Sequence, residues 1–473
     1  MCRHSARCSN MRPAFRPPGS PTWAHVRARD MTDGLPTGDA GPDEAAREDD
    51  TETGNDSVEP TGPEPTPLLA PADGVPDVAV TSDEILAAAE QLVTGHGPFA
   101  IDAERASGFR YSNRAYLIQI RRAGAGTVLI DPVGHGEDPM IVMAPLADVL
   151  DTDEWVLHAA DQDLPCLAEL GMVPPRLYDT ELGGRLAGFD RVNLAAMVQR
   201  LLGLQLMKGH GAADWSKRPL PAEWLNYAAL DVEVLLELRN AVAAELESQG
   251  KTRWAAEEFE HLRTYVAAPT RRDRWRKTSG IHKVKNPRTL AAVRELWTTR
   301  DLIAQRRDIA PGRILPDAAI INAATSDPET VEKLVSLPVF GGSRQRRSAG
   351  AWLEALARAR KTDDLPRASE QQTGPPPAVR WSRRKPEAAE RLEAVRAGLN
   401  ELSRRVSVPT ENLLTPELVR RLVWDWQPVP DAAAAIEAFL SEAGARPWQR
   451  ELTVPVIADA LTTAVAPPED PQD

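Results

Sequence analysis

Two acids stand at alternate positions of an apolar run, Phe99-Ala-Ile-Asp102-Ala-Glu104. In an extended strand alternate side chains share a face, so these carboxylates would sit side by side and repel unless a cation neutralised them. Hard oxygen ligands at this spacing suit Mg2+ or Mn2+, although an isolated pair of this kind also fits a strand whose polar face is simply solvated. Farther along, Trp155-Val-Leu-His158-Ala-Ala-Asp161-Gln-Asp163 reads as an apolar strand passing into a helix, with an acid at the junction. Asp163 would project there, and either Asp161 or Asp163 would equally serve as an ordinary helix cap. In Asn226-Tyr227-Ala-Ala-Leu-Asp231 the tyrosine and the aspartate stand four apart and so share one helix face, which Leu235 continues. An acid on a partly apolar stripe wants a cation or a donor, although a surface Tyr–Asp pair would also serve. The three elements in this order are much more specific than any one of them.

The elements that must position these residues are legible in outline. Thr81 and Glu84 have the spacing of a capping box, and Ile85, Leu86, Ala89 and Leu92 recur at helical period behind them. Short apolar runs at Phe99–Ile101, Tyr116–Ile120, Val128–Ile130 and Trp155–Leu157, separated by Gly, Asn and Asp, predict strands of one sheet. From Asp163 onward the pattern is helical, and Pro221 predicts the start of one long helix running through Tyr227 and Asp231 towards Leu246. Beyond Pro269 only helical segments are expected, at Thr289–Ile309, Asp317–Ala324, Thr330–Leu337 and Ala349–Arg360. After a Pro-, Gln- and Arg-rich stretch from Asp364 to Lys385, they resume at Ala388–Val406, Pro416–Val423 and Ala432–Ala443. Leu296, Ile303, Ile309 and Ile314-Leu315 match Val395, Leu402, Val408 and Leu413-Leu414 at one constant offset, an internal repeat.

With 473 residues the chain exceeds the roughly 250–300 that one core can serve, so several domains are expected. Its 41 prolines point to linkers and tails, and the stretch before Val80 holds too few aromatics to offset chain entropy. Within that stretch Met31 offers an alternative start. No apolar run approaches the roughly 18 residues of a membrane span, the N-terminus lacks the apolar centre of a signal peptide, and Cys2, Cys8 and Cys166 cannot build a disulfide framework. A cytoplasmic protein with no membrane partner is expected. The net charge of −13 would oppose a nucleic-acid partner if it were spread evenly. Much of the negative excess, however, lies between Asp39 and Asp83, whereas Arg271 to Arg313 is rich in Arg and Lys.

On these residues the sequence resembles the DEDD exonuclease superfamily in its tyrosine-bearing branch, and within it the ribonuclease D family. Tyr111-Ser-Asn-Arg-Ala-Tyr-Leu-Ile-Gln-Ile120, Tyr178-Asp-Thr-Glu-Leu182, Lys208 and Asp214-Trp-Ser-Lys-Arg-Pro-Leu220 are similar to segments of that family. The helical block that follows resembles the HRDC domain shared with RecQ-type helicases. The implied fold is an α/β, ribonuclease H-like exonuclease domain, a mixed sheet flanked by helices, followed by two small all-α HRDC-like domains. On that reading residues 1–78 are a disordered acidic tail, 79–268 the exonuclease domain, 269–284 a basic connector, 285–362 the first HRDC-like domain, 363–384 a linker, 385–466 a diverged second copy and 467–473 a tail.

The resemblance implies two divalent cations, Mg2+ or Mn2+, held by Asp102, Glu104, Asp163 and Asp231, with Asp163 chosen over Asp161 because it stands five after His158. For in-line attack by water, Asp102 is expected to take the position shared by both cations, Glu104 and Asp231 that of the cation generating hydroxide, and Asp163, directly or through water, that facing the leaving 3′-oxygen. Tyr227, whose phenol is a weak base at neutral pH, would position the water. The implied reaction is 3′-5′ hydrolysis of RNA to nucleoside 5′-monophosphates by a monomeric chain, on tRNA precursors or other RNAs with an accessible 3′ end. Arg274-Trp275-Arg276-Lys277 offers both a stacking ring and phosphate contacts, and Lys283 and Lys285 extend the basic run. A DNA exonuclease and a catalytically silent RNA-binding scaffold are the rival readings, the latter expected to lack at least one of the four acids.

Overall fold

The computed structural model describes residues 64–134, 136, 138–207, 209–264, 273–367 and 374–463. The expected tails over 1–63 and 467–473, together with Lys208 and Arg271, lie outside the described residues.

Among the described residues strand β1 (Thr66–Leu68) comes first and is followed by β2 (Val78–Ala79) and helix α1 (Ser82–Val93). The predicted capping box forms. The Thr81 hydroxyl accepts from the Glu84 amide, and the Glu84 carboxylate accepts from the amides of Val80 and Thr81 at 2.8 and 2.9 Å. Then come β3 (His96–Arg105), β4 (Ala115–Ala123), β5 (Gly126–Ile130), α2 (Pro139–Leu150) and β6 (Glu154–Leu157), four strands where the short apolar runs predicted four. The sheet has the order β2-β5-β4-β3-β6 and ends on β7 (Arg176–Asp179). Its β3–β4 and β4–β5 ladders are antiparallel and the others parallel, which makes it mixed. One face, with Ile101, Ala103, Ile118 and Ile120, packs on Ile85 and Leu92 of α1 and on Met143 and Leu146 of α2. Leu117 and Leu129 on the other face pack on Ala228 and Ala229.

Three expectations fail in this domain. Residues 66–68, read as tail, form β1, whose backbone pairs in parallel with β8 (Leu204–Leu206). The stretch after Asp163, read as helical, also contains β7 and β8, between short helices at Leu164–Ala168 (α3), Thr180–Leu186 (α4) and Leu194–Leu202 (α5). The single long helix after Pro221 is two, α6 (Ala222–Glu233) and α7 (Leu235–Ser248), broken at Val234 with φ −102° and ψ −5°. Val234 stays in a distorted right-handed conformation, where a β-branched residue costs little, and Val234 and Leu235 are both buried in the core.

The two helical blocks share one helix scheme over their first three helices. Helices Pro287–Arg307, Pro311–Ile314 and Asp317–Ser326 have the lengths of Pro386–Val406, Thr410–Leu413 and Pro416–Asp425: 21, 4 and 10 residues in each set. The repeat found in the apolar positions is therefore a repeat of backbone. The second block also contains helices Ala432–Glu442 and Pro447–Thr463, the latter not foreseen. Its core reaches back into the expected linker, where Trp381 is buried and its indole N–H donates to Pro376 O at 2.6 Å. Among the described residues no strand follows β8 and no helix is long and apolar enough to cross a membrane.

Candidate active site

Asp102 and Glu104 lie on one face of β3, opposite Gln119 and Leu117 of β4. Helix α6 crosses this face and brings Asp231 to them, so that one carboxylate oxygen from each of Asp102, Glu104 and Asp231 lies within 4.8 Å of the others. Asp163 joins from the far side, held against Asp102. The four expected acids are thus brought together, Asp102, Glu104 and Asp231 as a tight trio and Asp163 beside Asp102.

The position of Asp163 depends on a left-handed residue. Ala159 has φ 58° and ψ 55°, a conformation that costs an L-residue roughly 1 kcal/mol or more and persists only when the surroundings fix it. Asp179, at the end of β7, does so: its carboxylate accepts from the amides of Ala159, Ala160 and Leu182 at 3.2, 2.8 and 3.0 Å. The turn then delivers Asp163, which makes no capping hydrogen bond to the helix it precedes. The ordinary helix-cap alternative is therefore excluded for Asp163. Asp161 is exposed and is placed beside Glu181 rather than in the trio.

Burial holds all four acids above the usual carboxylate range, and mutual repulsion adds to it for Glu104, Asp163 and Asp231. Glu104 is pushed up to about 10, first by burial and then by the charges of Asp102, Asp231 and Asp163. For Asp163 and Asp231 burial comes first and the charge of Asp102 second. Burial likewise raises Asp102, against an opposing backbone hydrogen bond at Ala103 and the charge of Arg105. A set of buried carboxylates that cannot all ionise alone fits a divalent cation: oxygen ligands only, several charges, and convergence within ligand distance.

Tyr227 stands one turn before Asp231, facing it. Burial, then the charges of Asp231, Glu104 and Asp102, raises its phenol far above its ordinary range, so it stays protonated and serves as a donor. Its ring lies so close to Gly209 that a Cβ there would overlap it, and Gly211 passes its hydroxyl. This close approach requires a glycine at 209, and the ring of the next residue, His210, meets Tyr227 edge-on with centroids 5.9 Å apart.

Sequence reasoning missed three residues. Arg105 lies 3.6 Å from Asp163 and donates to Gln162 Oε1 at 3.2 Å, which places a cation beside the cluster. Gln119 is fully buried across the ladder from Asp102, and both its amide atoms lack a hydrogen-bond partner among the described residues. Arg218 grips Asp131 with two bonds, at 2.5 and 2.8 Å, and Tyr116 O at 2.7 Å, fixing the Asp214–Leu220 segment to the sheet. A polar residue at the same alternation phase as Asp102, within a buried apolar strand, was the available signal for Gln119.

The expected stacking ring is absent from the surface. Trp275 is 3% exposed, packed in the core of the first helical block with its indole N–H on Asp273 Oδ1 at 2.9 Å. This corrects its reading as a platform for bases: the ring is the block's own cover, since an apolar body with one donor is satisfied by burial against an acid. Arg274, Lys277, Lys283 and Lys285 are exposed, Arg274 lying over the Trp297 ring at 5.6 Å, while Arg276 is half-buried and donates to Arg367 O.

Residues 78–247 match the family model for 3'-5' exonuclease, 289–356 that for the HRDC domain, and 374–461 that for a 3' to 5' exonuclease C-terminal domain. The chain is 31% identical over 315 residues to the ribonuclease D of Gluconacetobacter diazotrophicus, covering 64% of this chain and 78% of that one. It is 30% identical over 358 residues to the ribonuclease D of Acidiphilium cryptum, covering 73% and 88%. Among solved structures, a protein from Bifidobacterium adolescentis matches with a TM-score of 0.76 at 36% identity, over 84% of this chain and all of the other. Escherichia coli RNase D, described as an exoribonuclease involved in structured RNA processing, shares the fold with a TM-score of 0.59 at 24% identity, over 82% and 98%. The chain therefore belongs to the ribonuclease D family of 3′-5′ exonucleases.

Proposed function

We propose that this enzyme trims RNA from its 3′ end one nucleotide at a time, releasing nucleoside 5′-monophosphates, with Asp102, Glu104, Asp163 and Asp231 holding two Mg2+ or Mn2+ ions. The observation that carries the reading is the convergence of Asp102, Glu104 and Asp231 within 4.8 Å, beside Asp163. Bound there, the cations would supply charge stabilisation to the entering and leaving oxygens of an in-line displacement. The chain's own residues do the rest. Asp102, Glu104 and Asp231 orient one side of the site and Asp163 the other. Tyr227 keeps its proton and presents its hydroxyl to orient the attacking water, an oriented donor rather than a base. Arg105, next to Asp163, is placed to meet a phosphate oxygen at the reacting end. Exposed Arg274, Lys277, Lys283 and Lys285 supply phosphate contacts farther along the strand.

The substrates proposed are tRNA precursors and other structured RNAs with an unpaired 3′ end, acted on by a monomer in the cytoplasm. The test is incubation with RNA labelled at either end, with and without Mg2+ or Mn2+, beside a DNA oligonucleotide of matched sequence. A 3′ label released as a 5′-monophosphate only with metal, and faster from RNA, is expected. Release from the 5′ end, or equal rates on DNA, would overturn the reading.

A further inference from the structure

We infer, resting on the reading of Tyr227 and Asp231 as part of the reacting site, that residues 66–73 are a brace that positions both of them. The segment ties together the two elements between which the Tyr227 ring stands. On one side β1 pairs with β8, Thr66 with Leu204 through Leu68 with Leu206, and the Thr66 amide donates to Gly203 O at 2.9 Å. Gly209, three residues after the end of β8, lies against the Tyr227 ring. On the other side the same segment holds α6. The Asn226 amide donates to Leu69 O at 2.9 Å, and the Ala72 amide donates to Glu233 Oε1 at 3.2 Å.

Asn226 precedes Tyr227 and Glu233 follows Asp231 by two, so the brace grips α6 at both ends of its reactive stretch. Asn226 and Glu233 share one helical face, turned about a third of a turn from the face of Tyr227 and Asp231. The brace therefore touches the helix without touching the acids. Glu233 is in turn paired with Arg121 of β4, Nη1 to Oε2 at 2.9 Å, with Asp73 Oδ2 3.9 Å from the same nitrogen. Because β4 lies beside β3, this chain of contacts fixes α6 to the sheet that carries Asp102 and Glu104. Helix α6 needs such an anchor: it has no side-chain cap at its N-terminus and breaks at Val234. Pro71 is buried in the middle of the brace, which holds its two arms in place.

A displacement of α6 by about 1 Å would cost turnover of the order of a hundredfold if the site were fully misaligned, and partial loosening less. The test uses the full chain with Ala72→Pro, which removes the amide given to Glu233, combined with Asn226→Ala, and separately Thr66→Pro. Expected are a kcat lower by roughly 10-fold, a KM for RNA within about twofold of the parent, and Mn2+ affinity weaker by several-fold in calorimetry. Amide exchange should rise in Ala222–Glu233 and Leu204–Leu206 but not in Ser82–Val93. A merely structural strand predicts a lower thermal midpoint with kcat, Mn2+ affinity and α6 protection within about twofold of the parent, and that result would overturn the brace. If Thr66→Pro fails to fold, the Ala72→Pro and Asn226→Ala pair, in side chains and amides at the surface, still decides. If the parent hydrolyses no RNA, the reading of the site fails, while Mn2+ affinity and exchange continue to judge the brace.

Discussion

Asp308 and Ser407 occupy the same corner of the two helical copies, and each meets the nuclease domain. Both end a 21-residue helix in the left-handed conformation, at φ 46° and 49°. The Asp308 carboxylate accepts from the Ser112 amide at 2.8 Å and from Arg114 at 2.9 Å. Ser407 O accepts from Lys251 Nζ at 3.2 Å and lies against Gly188. One corner has thus been used twice, first on the loop that follows Glu104 and Arg105 and then on the α7–α8 junction, where α8 is Thr252–Thr264.

Asp308→Ala should lower stability by about 1–2 kcal/mol, since it removes charge-assisted bonds at a half-exposed site. Burial pushes the Asp308 carboxyl up, but the bonds from Ser112 and Arg114 hold it below its ordinary value of 3.8. A depressed carboxyl contributes stability that is present above the unfolded value and lost as pH falls through the folded one. The gap between parent and variant in urea titrations should therefore be constant from pH 5 to 8 and shrink below about pH 4.

The second copy is anchored by Glu258, whose carboxylate accepts from Arg446 at 2.6 and 2.8 Å and from the Trp448 indole at 2.8 Å. Removing one member of a buried pair leaves the other without compensation, so Glu258→Ala should cost about 3 kcal/mol. Calorimetric scans should show the loss as a lower midpoint, and hydrolysis of a short unstructured RNA at low temperature should stay within about threefold of the parent.

Gln119 is a liability to the fold, with a buried amide and no partner among the described residues. Gln119→Leu should raise the thermal midpoint, because it removes about 1–3 kcal/mol of uncompensated desolvation. If the amide serves the acids across the ladder, the same change lowers kcat by roughly 10-fold. A midpoint that falls, or a kcat that does not move, would remove Gln119 from the site.

Metal binding should grow with pH. Glu104, pushed up to about 10, and its raised neighbours cost the metal-free fold stability as pH rises from the unfolded value of 4.5, since the unfolded chain releases those protons first. Cations relieve this cost by replacing protons. The rise in thermal midpoint at saturating Mn2+ should be larger at pH 8.5 than at pH 6, with protons released on binding. An equal rise at both pH values would contradict the buried-acid account.

Tyr227→Phe should lower single-turnover rates by roughly 10–10³-fold with little change in Mn2+ affinity, because it removes a donor hydroxyl and no carboxylate. A rate within about twofold of the parent would leave Tyr227 as a packing residue only.

The acids were legible because chemistry constrains both their type and their spacing: alternate positions on a strand, four apart on a helix, and one at a strand–helix junction. The repeat was legible because apolar positions at a fixed offset record one packing scheme used twice. Strands β1, β2, β7 and β8 were not, being short and lying either in or at the edge of a stretch read as tail or between helical patterns, so that what makes them strands is the neighbour each pairs with. The break at Val234 carries no Gly or Pro to mark it. Trp275 was misread because a tryptophan amid arginines fits a binding surface and the cover of a core equally well, and only the fold distinguishes them. Asp163 was separable from Asp161 in sequence by resemblance alone, whereas the Ala159 turn held by Asp179 supplies the physical reason.

The most direct measurement is single-turnover hydrolysis of a 5′-labelled RNA by the parent, Asp161→Ala and Asp163→Ala in Mg2+, with RNA binding measured alongside. A ladder shortened from the 3′ end in the parent and in Asp161→Ala is expected. Asp163→Ala should be slower by roughly 10³-fold or more while binding RNA as the parent does. An active Asp163→Ala beside an inactive Asp161→Ala, or a ladder that persists in the presence of chelator, would contradict the account.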